Sequence, residues 1–230
     1  MAVRFRTGGR GKIMVLVSII FVTSLTLASF SFRYYSIDRS DDRIDALENS
    51  LLQLKSAMNV DSVRQFYIQK VIKLIDRYNK SLSTDMKYRI ANEIYEMSIR
   101  YENLDVELIS ATITHESAFT WQTDIVSRAG AMGLMQIMPA TGVFLARAEG
   151  IDWTSPKDIL HNPIYNIRLG CRYLSTLVNL YGVDGGLAAY NGGERRAALW
   201  LKKGKDDKVL WEETRGYVPA ILKLYKEYSY

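Results

Sequence analysis

The stretch T-H-E-S-A-F, residues 114–119, sets a glutamate against an apolar helical pattern. At about 100° per residue, Val106, Ile109 and Ile113 form one helical stripe, and Glu116 falls at its edge. A carboxyl partly withdrawn from water loses solvation of its charged form, so its pKa rises. Such a group keeps its proton near neutrality and can deliver it to a leaving oxygen as a general acid. The same pattern also fits a glutamate that escapes to solvent at a helix end. A second stretch, S-R-A-G-A-M-G-L-M-Q-I-M-P-A-T from Ser127 to Thr141, is too apolar for a surface loop. It is also too rich in glycine for the interior of a helix or strand. Gly130 and Gly133 let the backbone turn tightly, Gln136 can direct its amide into a cleft, and Pro139 opens the next helix. A third, L-A-A-Y-N-G-G at 187–193, offers the phenol of Tyr190 and the amide of Asn191 at a helix end. A packed tyrosine and a helix-stopping asparagine are the plain alternative. A fourth, E-E-T-R-G-Y-V at 212–218, precedes the last helix and reads as a solvated N-terminal turn.

Other chemistries find little support. The two histidines, His115 and His161, lack ligand spacing, and the one cysteine, Cys171, permits neither an internal disulfide nor a multi-cysteine metal site. Cys171 sits in an apolar helical pattern and reads as a small buried hydrophobe. The net charge of +5 resembles that of a nucleic-acid binder. Arg4, Arg6, Arg10 and Lys12, however, supply four of those five charges ahead of the first apolar run, so the folded part carries no basic stripe and no nucleic-acid partner is expected.

Taken in order, E-S, G-A-M-G-L-M-Q-I-M-P-A-T, A-Y-N-G-G and E-T-R-G-Y-V resemble the soluble lytic transglycosylase family, murein-cleaving enzymes with a goose-lysozyme-like fold. The resemblance covers about Asp105 to Tyr225. It implies that Glu116 is the single acid/base and that Ser127 is placed to hydrogen-bond the substrate. It implies further that Gln136 and Met138 line the glycan groove, that Tyr190 and Asn191 are the pair of the A-Y-N motif, and that Glu213 and Tyr217 belong to a motif whose glutamate supports the site. In that family the acid protonates the oxygen between N-acetylmuramic acid and N-acetylglucosamine. The ionised acid then takes the proton of the muramic C6 hydroxyl, closing a 1,6-anhydro ring without cofactor or metal. Glycosidases of the ordinary kind need two carboxylates. Asp124 is the one other acid between Glu116 and the G-L-M-Q turn, and it reads as a solvated loop residue. A lysozyme-type hydrolase and an inactive glycan-binding scaffold are the competing readings. Phe119 and Trp121 suit either sugar stacking or core packing.

The elements that must position these residues are helices. Proline is scarce, with 4 in 230 residues, apolar content is 48%, and strand-type alternation is hard to find. The expected fold is mainly α, a lysozyme-like helical domain over 85–230. Asn162-Pro163 and Ser155-Pro156 read as helix starts, Gly182 as a helix stop, and a last helix is expected from near Gly216 to Tyr228, with Pro219 in its first turn. Ahead of this domain, 1–12 is a basic cytoplasmic flank and 13–32 a chargeless run long enough to cross a bilayer. A cleaved signal peptide is the alternative for that run. Residues 33–84 form a helical arm. In it Ile37, Ile44, Leu51 and Met58 recur every seven, with Leu47 and Leu54 between them. That pattern fits a homodimer or envelope-machine contact through 37–58, or a helix docked on its own domain, and N-K-S-L-S-T-D at 79–85 reads as the linker. These features imply a single-pass protein of the bacterial cytoplasmic membrane with its catalytic domain outside the cytoplasm. A reporter active only outside the cytoplasm, fused after Tyr230, is therefore expected to function. A full-length chain that fractionates as soluble with Met1 intact would exclude the anchor.

Overall fold

Helix-forming sequence dominates, and the computed structural model carries it in eight α-helices over the described residues, 9–230; the side chains at 9–12, 15 and 32–46 lie outside that description. Among the described residues β-pairing is limited to two isolated bridges, Val126 with Met132 and Met132 with Ile137. The helices are α1 (Gly9–Tyr78), α2 (Thr84–Arg100), α3 (Val106–Glu116), α4 (Pro139–Glu149), α5 (Pro156–Leu160), α6 (Pro163–Gly192), α7 (Glu194–Lys202) and α8 (Glu212–Tyr228). Contacts divide the chain into two units, Met1–Asp61 and Ser62–Tyr230.

In the first unit the apolar side chains described on α1, among them Leu16, Val17, Phe21 and Phe30, are exposed, as are Leu47, Leu51, Leu54 and Met58. Among the described residues no helix is long and apolar enough to cross a membrane, so the structure does not support the transmembrane helix expected at 13–32. That segment includes positions 15 and 32, whose side chains lie outside the described residues, as do the basic flank 1–12 and the heptad positions Ile37 and Ile44.

The second unit begins at Ser62, earlier than the boundary that the polar segment 79–85 suggested. The reason is apolar burial. Ile68, Val71 and Ile75 are fully buried and Leu74 nearly so, in one core with Ile90, Ala91 and Ile94 of α2. Lys87 closes this corner by donating to Asp76 at 2.6 Å and to the Lys80 carbonyl at 3.2 Å. Proline and side-chain caps start the helices where the sequence places them. Asn162 caps α6 by accepting from the Ile164 and Tyr165 N–H groups, and Ser155 caps α5 by accepting from Asp158. Gly182, at φ 71° and ψ 175°, leaves helical geometry, so the helix begun at Pro163 stops there as expected and a second helical segment continues α6 to Gly192. The last helix starts at Glu212, a turn earlier than expected, with Glu212 and Glu213 in its first turn, where carboxylates favour the helix dipole. Pro219 consequently stands inside α8 and not in its first turn.

Helix α3 is central, packing on α2 and α8. Helix α4 is tied down at its far end. Glu149 accepts from Arg100 of α2 and Arg172 of α6, both at 2.7 Å. Burial opposes the charge of Glu149, but the hydrogen bonds from Arg172 and Arg100 outweigh it and hold the carboxyl below its ordinary pKa.

A chain beginning at Asp85 would lose four buried apolar side chains, each worth about 1.5–3 kcal/mol. That total rivals the net stability of a typical domain, about 5–15 kcal/mol. A chain beginning at Asp85 is expected to lack cooperative thermal unfolding, whereas one beginning near Ser62 retains it. A sharp transition from the shorter chain would show that the end of α1 is dispensable.

Candidate active site

The carboxyl of Glu116 stands at the end of a helix with little access to water anywhere. Val106, Leu108, Ile109, Ser110, Ala111, Thr112, Ile113 and Thr114 of α3 are all buried. This is more than the single stripe read from the sequence, and it is how a helix surrounded by protein looks. Two hydroxyls of α3 adapt to that setting: Thr112 donates to the Leu108 carbonyl and Thr114 to that of Ser110. Glu116 is partly buried, and burial pushes its pKa from 4.5 up to about 7. Tyr217 of α8 opposes that rise by donating its phenol proton to Glu116 Oε1 at 2.5 Å, and the charge of Glu213 adds to it. Tyr217 is buried and its ring meets His115 edge-on, with centroids 4.8 Å apart. Burial lowers the pKa of His115, partly countered by Glu213, so the ring beside the acid favours its neutral form.

The chain leaves α3 through a strained turn. Ala118, Phe119 and Trp121 adopt φ of 51°, 63° and 52°, a region that side chains other than glycine enter at a cost. Buried hydrogen bonds hold the turn. Ser117 Oγ accepts from the Trp121 N–H at 3.1 Å, and the Trp121 indole donates to Thr114 Oγ1 at 3.1 Å. Tyr228 of α8 also donates to Thr114 Oγ1, at 3.1 Å. Trp121 is fully buried and belongs to the core, while Phe119 is half exposed.

The glycine-rich segment is held from α6 by a residue that the sequence reading passed over. Asn166 is fully buried; its Oδ1 accepts from the Met135 N–H at 2.7 Å, and its Nδ2 donates to the carbonyls of Met132 and Leu160 at 2.9 and 3.0 Å. Tyr190 donates to the Met135 carbonyl at 2.7 Å, so both peptide groups of residue 135 are fixed. Gly133, at φ 78°, is where this segment touches Asn166: a Cβ there would lie 2.3 Å from Nδ2 and 2.2 Å from the Leu160 carbonyl oxygen. Gly170 admits Met135 in the same way, and Cys171 lies buried with its Sγ 4.0 Å from Met135 Sδ. Gln136 takes φ 47°, and its amide donates to the Gly133 carbonyl at 2.8 Å, bracing the turn with its nitrogen. Met138 is exposed at the start of α4. Ser127 accepts from the Ala131 N–H at 3.0 Å, which places its hydroxyl in the turn at 127–131.

The fourth wall joins α6 to α8. Asn191 accepts from Thr214 Oγ1 at 2.7 Å and donates to Glu213 Oε1 at 3.4 Å. Gly192 permits this approach, since a Cβ there would meet Thr214 Oγ1 at 2.7 Å. The structure thus joins Glu116 to Tyr217, Asn191 to Glu213, and Tyr190 to the backbone beside Gln136. Asn166 was missed because a single polar residue in an apolar helical run carries no spacing signal; Thr114 and Thr214 lie inside the stretches T-H-E-S-A-F and E-E-T-R-G-Y-V, but their bonds to Tyr228 and Asn191 on distant segments do not show there. What the arrangement offers chemically is one carboxylic acid poised to exchange its proton near neutrality, with Glu213 exposed nearby and Asp124 exposed in the loop.

A sequence model described as the transglycosylase SLT domain matches residues 93–209. The chain is 32% identical over 149 residues to the soluble lytic murein transglycosylase of Escherichia coli K12, an overlap covering 60% of this chain and 23% of that relative. It is 36% identical over 110 residues to the membrane-bound lytic murein transglycosylase C of Photorhabdus laumondii, covering 44% of this chain and 30% of the other. Among solved structures, an inactive mutant of the lytic transglycosylase Slt from Pseudomonas aeruginosa superposes with a TM-score of 0.53 at 28% identity, over 63% of this chain and 28% of that one. The chain therefore spans less than a third of the length of these relatives.

The Tyr217 bond yields a pH prediction. The phenol stabilises the ionised form of Glu116, so Tyr217→Phe raises the pKa of Glu116 above about 7. Activity that needs the protonated acid falls as pH rises through that pKa, so its alkaline limb is expected at higher pH in the variant. An unmoved or lowered limb in the pH–rate profile would show that Tyr217 does not act on the acid.

Proposed function

Since the chain belongs to the transglycosylase SLT domain family, we propose that it is a lytic transglycosylase. Its substrate is the murein bond between N-acetylmuramic acid and N-acetylglucosamine, and it leaves a 1,6-anhydro end. The observation that carries this reading is Glu116, a partly buried acid with its pKa pushed up to about 7 and a phenol on one oxygen.

A group with that pKa serves in both directions near neutrality. As an acid, Glu116 gives its proton to the bridging oxygen while the bond from that oxygen to the muramic anomeric carbon breaks. The muramic N-acetyl carbonyl oxygen shields the cationic carbon. As a carboxylate, Glu116 then takes the proton of the C6 hydroxyl, whose oxygen bonds to the anomeric carbon. The acid is regenerated and water is not consumed. Tyr217 orients the carboxyl through both steps. The wall formed by Asn191, Glu213 and Thr214, with the braced segment carrying Gln136 and Met138, borders the path of the glycan, and Ser127 is the further contact to substrate.

The reading extends to location. A 20-residue chargeless run behind a basic flank supports anchoring in the bacterial cytoplasmic membrane through 13–32, with the catalytic unit in the periplasm. The membrane-bound relative in Photorhabdus laumondii is consistent with a site of action at a membrane. The exposed Leu47, Leu51, Leu54 and Met58 support pairing of two chains, or contact with an envelope assembly, through 37–58.

Mass spectrometry of muropeptides released from purified murein tests the chemistry. Intramolecular transfer gives products lighter by one water than those of hydrolysis, with ends that borohydride does not reduce. Predominantly reducing ends would mean that a second carboxylate, Glu213 or Asp124, activates water. Glu116→Gln is expected to lower the rate by at least about 10²–10⁴-fold while murein binding persists.

A further inference from the structure

The connection between α7 and α8 ends on an indole set against the solvent. Trp211 is 56% exposed, although it is the residue that immediately precedes α8. One face is covered: the guanidinium carbon of Arg196 lies 3.4 Å from the ring centroid, and Arg196 is itself anchored by donating to the Val209 carbonyl at 2.8 Å. The segment between them is held as well, since the buried Trp200 donates its indole proton to Asp207 at 3.1 Å. Trp211 is thus a large apolar ring fixed from behind, with its remaining surface open to water.

Its place ties it to the site. Trp211 precedes Glu213 by two residues, so their Cα atoms lie within roughly 8 Å. Arg196 follows Asn191 on the opposite side of the same junction. Asn191 with Glu213 and Arg196 with Trp211 are successive ties between the same two stretches of chain. Trp211 therefore stands beside the tie between Asn191 and Glu213, where a glycan running along that wall would reach it. Pyranose rings carry axial C–H groups that stack on aromatic faces, and the electron-rich indole face is well suited to them. A ring already fixed by a guanidinium loses little conformational freedom when a sugar docks.

We propose that Trp211, backed by Arg196, is a sugar-stacking subsite for a pyranose ring of the glycan strand, one step along the cleft from the ring that Glu116 acts on. This rests on the reading of the protein as a glycan-cleaving enzyme. Its consequence is that strand binding and catalysis separate: Trp211 contributes affinity, and Glu116 contributes the proton.

The test uses the full chain carrying Glu116→Gln, so that peptide-free murein glycan strands are bound and not consumed. Adding Trp211→Ala is expected to weaken strand binding roughly three- to tenfold, the range lost with a stacked ring, and Trp211→Phe to restore most of it. In otherwise wild-type protein, Trp211→Ala should raise KM on the same strands by a similar factor with a smaller change in kcat. The indole N–H resonance of Trp211, assigned by its loss in Trp211→Phe, should shift on adding strands, which decides the matter even if Trp211→Ala folds poorly. Unchanged binding by Trp211→Ala, a Trp211→Phe as weak as the alanine variant, or an indole resonance unmoved at saturation would each overturn the subsite. Cleavage of murein by the unmutated chain tests the enzymatic reading separately, so the two can fail independently.

Discussion

A carboxyl at the end of a helix buried on every side can either shed its charge or find donors for it. Glu116 is held between these outcomes. Burial raises its pKa, and the single short hydrogen bond from Tyr217 brings it part of the way back. Were the donors more numerous, the group would remain a carboxylate and could not give a proton. Were there none, it would hold its proton too tightly to act as a base in the following step. Both requirements fall on the distance between α3 and α8. The ties between these helices therefore bear on chemistry as well as on packing: Tyr228 to Thr114, and Tyr225 to Asp105 at the start of α3.

The segment that carries Gln136 depends on a different device. Segment 132–138 has almost no regular structure, and its backbone groups would be poorly satisfied without help. Helix α6 supplies that help with two side chains, Asn166 and Tyr190, which take up the peptide groups on either side of Met135. Gly133 and Gly170 are the spaces into which these contacts fit. The strained φ of Gln136 survives because its neighbours are fixed, as expected where a backbone is held out of its preferred region at a site.

How much of this could be read from the sequence follows from the range of each interaction. Helix starts at Pro139, Pro156 and Pro163 were legible because caps and prolines act within a turn. Glu116 was legible as a candidate because helical phase is local, although the sequence showed one stripe where the helix is buried all round. The contribution of 62–78 to the core was not legible. The polar residues at 79–85 resemble a linker, and only long-range packing shows that Ile68 and Ile75 lie under the same core as α2. The start of α8 was misjudged because two local signals compete: Pro219 invites a helix start nearby, and the acidic first turn at Glu212 and Glu213 overrides it. Asn166 was illegible because two of its three partners, Met135 and Met132, lie more than thirty residues away on a segment without helical pattern.

The poise of Glu116 also sets a limit on stability. In the unfolded chain its pKa returns to about 4.5, so the folded form binds the proton more tightly. Folding stability from this group is therefore full below that value and is lost as pH rises toward about 7. At about 1.4 kcal/mol per pKa unit the loss approaches about 3 kcal/mol, reduced by the solvent that reaches the partly exposed side chain. Replacing the acid with a neutral amide removes that term, so Glu116→Gln gains stability relative to the unmodified chain between these pH values while losing its chemistry. A site that must keep an acid protonated at neutrality is in this way a standing destabilisation at the end of α3, and the buried hydrogen bonds around Thr114, Ser117 and Trp121 are what the surrounding fold sets against it.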